Sequence, residues 1–299
     1  MTVPTPPPPP PPPADAVAMI VANALDEDRA AYDVTTRATV PPDQPGEATV
    51  VYKQAGVVCG LDVIALVFAQ VSDEVEVTSP FQDGDEVEAG TEVAEITGPL
   101  AAILSGERVA LNLIQRMSGI ATLSRDYVAA AAGGGEARVV DTRKTTPGLR
   151  ALERYAVRVG GASNHRNTLE DGVLIKDNHI EAAAQREVDL AGVIALARMG
   201  AAHTVRIEVE VTDAEMAREA IAAGADVILL DNMTPQEMRA VVAEHRADPA
   251  TARVLFEASG GITLETIAQV AATGVDLISS GALTHSAPAL DISLDVRPG

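Results

Sequence analysis

Residues 204–235 read TVRIEVEVTDAEMAREAIAAGADVILLDNMTP. Thr204–Val211 puts Ile207, Val209 and Val211 on one face and Glu208 and Glu210 on the other, which is the two-residue period of a strand. Residues 213–223 take a helical pattern, and Asp226–Leu230 is a second apolar run that ends in Asp231-Asn232. A strand, a crossover of this length and another strand place the two strands parallel.

The same unit recurs on both sides. Short apolar runs lie at Arg138–Thr142, Gly172–Ile175, Arg253–Glu257 and Val275–Ser279. Helical patterns lie at 149–158, 188–199, 235–246 and 263–272. This predicts a partial parallel α/β barrel of about six strands over 133–285, short of the eight of a full barrel. A doubly wound sheet competes, but no GxGxxG follows the first strand. The run LDISLDV at 290–296 has no helix before it, so 286–299 is a candidate to return to an earlier domain.

That earlier domain is predicted over 14–132 as an α/β open sandwich. An amphipathic helix is expected over 14–31, with Val17, Ile20, Val21, Ala24 and Leu25 on one face. From 46 to 99 the pattern is that of strands separated by glycines, with one helix inserted at GLDVIALVFAQ. DGDEVEAGTEVAEITGP resembles the hairpin of a biotinyl or lipoyl carrier. A carrier needs a lysine on its turn, and none lies between Lys53 and Lys144. Residues 101–132 are helical. One stripe carries Arg108, Asn112, Gln115, Gly119 and Thr122; a polar stripe ordinarily faces water, but this one holds no acid, so a ligand-facing role is kept beside that reading. A second stripe carries Val109, Leu113, Met117 and Ile120. Gly133-Gly134-Gly135 marks the boundary. Residues 1–13, ending in Pro6–Pro13, form a disordered proline-rich tail, since proline cannot donate to helix or sheet.

The chain carries 22 Lys and Arg against 43 Asp and Glu, a net charge of −21. That balance argues against nucleic acid, whose phosphates need a basic stripe. No apolar run reaches membrane-spanning length. One cysteine, Cys59, suits a reducing cytoplasm. Against this acidic background, Arg138–His179 holds six Arg and two Lys against five acids, a local +3. Arg150, Arg154 and Arg158 recur at helical spacing and read as a solvated face. The remaining cations cluster at the ends of apolar runs, which suggests an anionic small ligand.

In a parallel barrel, chemistry gathers where strands end. The six predicted strands end in, or carry near their ends, Arg143-Lys144, Lys176 with Asp177-Asn178-His179, Glu210, Asp231-Asn232, Glu257 with Ser259-Gly260-Gly261, and Ser280-Gly281-Ala282. Arg143, Arg166, Lys144, Lys176 and His165 suit planar carboxylates. The glycine turns offer backbone N–H groups to phosphate. Glu210 and Asp231 suit ribose hydroxyls or Mg²⁺, a hard ion that takes oxygen ligands.

GERVALNLIQRMSGIAT, DTRKTTPGLRALERYAVRVGG, NHRNTLEDGVLIKDNHI, IEVEV, DVILLDNM, SGGI and SGALTHSAPALDISLD resemble the quinolinate phosphoribosyltransferase family. The likeness runs from about 14 to 296 and leaves out the proline tail. EASGGI and SSGALTHS stand where the family pattern suggests ESSGGI and SVGALTHS; the changes leave the glycines in place. The resemblance implies a Mg²⁺-dependent transferase that joins quinolinate to phosphoribosyl pyrophosphate and yields nicotinate mononucleotide, pyrophosphate and CO2. It implies a homodimer or larger oligomer with active sites shared between subunits. It further implies quinolinate contacts from Arg108, Thr142, Arg143, Lys144, His165, Arg166 and Lys176, with Arg108 supplied by the neighbouring subunit. Glu210 and Asp231 fall to the phosphoribosyl group and the metal, and Ser259, Gly260, Gly261, Ser280, Gly281 and Ala282 to phosphate. Lys144, Lys176, Glu210 and Asp231 are the implied catalytic set. Three rivals remain: a molybdenum-associated paralogue with another substrate, a Schiff-base aldolase using Lys144 or Lys176, and a catalytically dead binding protein.

Overall fold

The computed structural model describes residues 9–298; the expectation for the first eight residues of the tail lies outside the described residues. Pro9–Pro13 have no regular structure, and the Pro10 carbonyl accepts a hydrogen bond from Arg158 Nη2 at 3.0 Å. In chain order the elements are α1 (Ala14–Glu27), α2 (Val34–Thr39), β1 (Pro45–Tyr52), β2 (Gly56–Val57), α3 (Leu61–Val71), β3 (Glu76–Thr78), β4 (Glu86–Val87), β5 (Glu92–Pro99) and α4 (Leu100–Ala132). Then follow β6 (Arg138–Val140), α5 (Arg150–Val159), β7 (Val173–Ile175), α6 (Asp177–Ala184), α7 (Leu190–Gly200), β8 (Ile207–Val211), α8 (Ala214–Ala222), β9 (Val227–Asp231), α9 (Pro235–Arg246), β10 (Leu255–Ser259), α10 (Ile267–Ala271), β11 (Leu277–Ser279), α11 (Ala282–His285) and β12 (Ile292–Pro298). No described helix is long and apolar enough to cross a membrane.

The chain divides into two compact units. The first takes residues through Arg125, Thr145–Gly161 and those from Leu283 onward; the second takes Asp126–Lys144 and Ala162–Ala282.

The first unit is an antiparallel sheet of order β12-β1-β5-β3 with helices packed on it. Ala48 and Val50 are buried on alternate positions of β1, as the period of two requires. β12 pairs along β1 from Gly46↔Pro298 to Tyr52↔Ile292, which brings the C-terminal segment into this sheet. α1 is shorter than the predicted 14–31 helix, because Arg29 takes a left-handed conformation (φ 55°) just after it.

α4 is as long as predicted, and Val109, Leu113, Met117 and Ile120 are buried. Its polar stripe corrects an expectation. Gln115 donates to the Ile292 carbonyl at 2.7 Å, and Thr122 Oγ1 accepts the Val57 N–H at 2.9 Å. Those positions form a packing seam, and only Arg108 and Asn112 stay exposed. α5 corrects another. Arg154 is 3% exposed and so does not belong to a solvated face. Beside it the fully buried Glu153 pairs with Arg116 at 2.8 Å and accepts the Thr146 N–H at 3.0 Å.

The second unit is a sheet of six parallel strands, order β6-β11-β10-β9-β8-β7. β6 and β7 are the edges, so the barrel is open, as the strand count implied. Ile207, Val209 and Val211 are fully buried, and Glu208 and Glu210 take the alternate face. The Ser163 segment pairs in parallel with Val140 at the β6 edge and carries His165 and Arg166 with it.

One contact in the first unit gives a test of sign. A Cβ on Gly119 would stand 1.9 Å from the Pro288 carbonyl oxygen. Gly→Ala inside a helix ordinarily stabilises, by up to about 1 kcal/mol. Gly119→Ala is expected to destabilise instead, by about 1–3 kcal/mol, because the two backbones must separate. Gly200→Ala, at the open end of α7, should be neutral or stabilising. Urea unfolding of both variants checks this; a stabilised Gly119→Ala would refute the close approach.

Candidate active site

Parallel pairing sends every strand of the second unit to the same rim. At that rim lies a cavity of about 540 Å3. Its walls include Thr142, Arg143, Lys144, His165, Arg166, Lys176, Glu210, Asp231 and Ser259, all selected from sequence. Leu174, Leu229, Asn232, Glu257 and Ser279 complete the lining. Gly260 and Gly261 follow Ser259 in the chain, and Ser280, Gly281 and Ala282 follow Ser279, without lining the cavity themselves. Arg108 is exposed on α4 in the first unit.

Charge is sorted by strand. The cations come from the edges: Arg143 and Lys144 after β6, Arg166 from the segment beside it, and Lys176 after β7. The acids Glu210, Asp231 and Glu257 come from the inner strands β8, β9 and β10.

Each edge cation is placed by local structure. The fully buried Asp141, directly after β6, accepts from Asn164 Nδ2 at 2.7 Å and from the His165 N–H at 2.8 Å. This fixes the loop that presents Arg166, whose Nη1 donates to the Gly172 carbonyl at 3.0 Å. Burial, and then the charge of Arg143, lower the Arg166 pKa, with Glu208 opposing. The Nε of Arg143 is buried with no hydrogen-bond partner among the described residues. Lys176 is the N-cap of α6, and its Nζ contacts Glu210 Oε2. His179 is spent on that cap, accepting the Lys176 N–H at Nδ1 (2.9 Å).

On the acidic side, Asn232 takes a left-handed conformation (φ 54°) and donates to Asp231 Oδ2 at 2.7 Å. Gly260 (φ 98°) lies so close that a Cβ there would stand 2.2 Å from Asn232 Oδ1. No other residue type fits that turn.

Two buried acids have no role assigned from sequence: Glu257 in the cavity wall and Glu208 behind it. β10 runs two residues beyond the predicted strand end, so Glu257 sits below the rim and points inward, 1% exposed. Glu208 is 7% exposed. His165 Nε2 lies 3.1 Å from Glu208 Oε2 and 3.4 Å from Glu257 Oε2. The inward face of Glu208 was readable from its alternation with Glu210; its meeting with His165, 43 positions earlier, was not.

Burial works against charge on His165, but hydrogen bonds to Glu208 and Glu257 and their charges push its pKa up to about 10. Its Nδ1, however, accepts the Arg166 N–H at 2.8 Å, which requires a lone pair there and a proton on Nε2 alone. The two indications conflict over a doubly protonated ring. The hydrogen bond decides for the Nε2–H form, and burial raises the Glu208 pKa.

Two groups of residues have metal-ligand chemistry. His165, Glu208 and Glu257 offer three atoms within 4.8 Å of one another. A metal on Nε2 would need the proton on Nδ1, against the Arg166 N–H, so this trio does not fit. Glu210 and Asp231 offer only hard oxygens from adjacent strands facing the cavity, a donor set that fits Mg²⁺ completed by phosphate oxygens.

Known proteins match along the whole of this arrangement. The quinolinate phosphoribosyl transferase family models match at residues 33–118 for the N-terminal domain and 120–295 for the C-terminal domain. A probable carboxylating nicotinate-nucleotide pyrophosphorylase of Bacillus subtilis is 47% identical over 270 residues, 90% of each chain. The carboxylating nicotinate-nucleotide pyrophosphorylase of Mycobacterium leprae is 42% identical over 285 residues, 94% of this chain and 98% of its own. The solved structure of NadC from Streptococcus pyogenes superposes with a TM-score of 0.87 at 40% identity, covering 95% of this chain and 97% of that one.

Proposed function

The chain belongs to the quinolinate phosphoribosyltransferase family, and on that premise we propose that the strand-end cavity divides by charge between its two substrates. The activity is pentosyl transfer: quinolinate and phosphoribosyl pyrophosphate give nicotinate mononucleotide, pyrophosphate and CO2, a step of NAD biosynthesis.

The cationic half takes quinolinate. One observation carries this: Arg143 Nε is buried without a hydrogen-bond partner among the described residues, and the charge of Arg143 works against that of Arg166. A dianion relieves both. Two adjacent carboxylates on a planar ring suit guanidinium forks. Lys144 and Lys176 add charge, and Thr142 stands beside them.

The acidic half takes the phosphoribosyl group. Glu210 and Asp231 face the ribose, and the backbone of Ser259-Gly260-Gly261 and Ser280-Gly281-Ala282 receives phosphate. Mg²⁺ bound through Glu210 and Asp231 would offset the charge of the pyrophosphate. As the ring nitrogen bonds to C1 and pyrophosphate leaves, positive charge develops on the ribose beside these acids. The nitrogen then carries formal positive charge and draws in the electron pair left when the neighbouring carboxylate departs as CO2; a proton takes its place on the ring. The edge cations fix the ring's orientation throughout.

The proposal extends to the assembly and its location. Arg108 is exposed on α4, and its stripe holds no acid. It is assigned to the quinolinate site of a neighbouring subunit in a homodimer or larger oligomer. The one cysteine, Cys59, is a buried free thiol, which suits the reducing cytoplasm.

Purified protein with Mg²⁺ should convert quinolinate, and not nicotinate, to nicotinate mononucleotide, and chelation with EDTA should stop it. Comparable turnover of nicotinate would contradict the need for so many cations; full activity in EDTA would remove the metal.

Arg143→Ala and Arg166→Ala should weaken quinolinate binding by roughly ten- to a hundredfold, the loss of one charge-assisted contact, with little effect on phosphoribosyl pyrophosphate. Asp231→Ala should show the reverse. Calorimetric titration of each substrate separates them, and equal losses for both substrates would mean the cavity is not divided this way.

Arg108→Ala and Lys176→Ala should each be nearly inactive. After subunit exchange, about half of a random mixture is heterodimer with one intact site of two, so activity should return to roughly a quarter of wild type. A mixture shown by mass spectrometry to contain heterodimer, yet still inactive, would place Arg108 outside a shared site.

A further inference from the structure

We propose that Glu208 and Glu257 are positioning residues of the quinolinate site, acting through His165 to set the Arg166 segment. The inference rests on the reading of the cavity given above.

The second unit holds another cavity, of about 220 Å3, at the opposite mouth of the barrel. Arg138, Val173, Val227, Leu255 and Leu277, each the first residue of a strand, line it. His165, Arg166 and Glu257 line both cavities. They are therefore part of a wall with space on either side. A side chain in such a wall is not held by packing alone, so its hydrogen bonds must fix it.

His165 supplies those bonds in both directions. Nε2–H faces Glu208 Oε2 at 3.1 Å and Glu257 Oε2 at 3.4 Å. Nδ1 receives the Arg166 N–H at 2.8 Å. Both ring nitrogens are thus used within the protein, and His165 joins the buried acids to the Arg166 backbone. Asp141 holds the same segment from the other side through the His165 N–H.

Among the described residues Glu208 Oε1 and Glu257 Oε1 are buried without a hydrogen bond, Glu257 Oε2 is approached by His165 Nε2 at 3.4 Å, and the Glu257 side chain is 1% exposed. Nothing in the folding of the barrel calls for them: at these positions apolar residues of similar size would bury without loss. What they do provide is an acceptor under His165, and Glu208 adds a negative charge that opposes the effect of Arg143 on Arg166.

The test is a double-mutant cycle. Glu257→Leu keeps the volume and removes a buried carboxylate, so the unfolding midpoint should not fall. The KM for quinolinate should rise roughly tenfold, with kcat within about threefold and the KM for phosphoribosyl pyrophosphate within about twofold. Glu257→Gln keeps one acceptor oxygen and should recover most of the loss. Quinolinate Kd, measured by calorimetry, should change less than about twofold when Glu257→Leu is added to His165→Ala. Glu208→Leu in the same cycle serves if Glu257→Leu does not fold. An unchanged quinolinate KM, an equal rise in both KM values, or the same factor with and without His165 overturns the proposal. A wild type that does not bind quinolinate overturns the reading of the cavity and this inference with it; wild-type binding with an additive cycle overturns this inference alone.

Discussion

Parallel strand pairing is the constraint on which the rest of the second unit depends. Once β8 and β9 are joined by a crossover helix they must run the same way, and the register Glu208↔Val227 through Val211↔Leu230 follows. Repeated across six strands, this brings residues from positions 142 to 279 to one rim. Strand order then does what sequence order cannot. β6, the first strand of the unit, lies at one edge and β7, the second, at the other, with the later strands between them. Cations that are close in sequence therefore stand on opposite edges, facing acids from the middle.

The fold was legible because its signals are local. The alternation of Ile207, Val209 and Val211 against Glu208 and Glu210 survives intact in β8. Strand-end polar residues were legible for the same reason: each follows an apolar run directly. What failed were inferences about which partner a polar residue meets. Arg154 looked solvated from its spacing, but burial depends on what packs over α5. The acid-free stripe of α4 looked ligand-facing, but its glutamine and threonine serve carbonyl and amide groups of residues 292 and 57. Helical periodicity says which residues share a face; it does not say what covers that face.

Glu208 and Glu257 show the same limit inside the site. Read alone, Glu208 is the plainer neighbour of Glu210, and Glu257 is a strand end. In space they meet under one histidine, and a single N–H to its Nδ1 decides the tautomer. That bond separates two chemistries that side-chain composition alone would leave equal. A histidine with two acids is a common metal set, but with Nδ1 occupied as an acceptor it becomes a clamp on the loop.

A chain of net charge −21 that takes two anionic substrates is at odds with electrostatics only if the whole charge acts at once. At physiological ionic strength the Debye length is about 8 Å, so most surface acids are screened from the cavity. What a bound anion meets is the lining, where Arg143, Lys144, Arg166 and Lys176 gather at the edges. Those cations repel one another, and the low-dielectric surroundings that strengthen their hold on a dicarboxylate also strengthen that repulsion. Counter-charge must therefore be built in and kept out of the substrate's way. Glu208 of β8 meets both needs: it is 7% exposed, its charge opposes the effect of Arg143 on Arg166, and it does not line the substrate cavity.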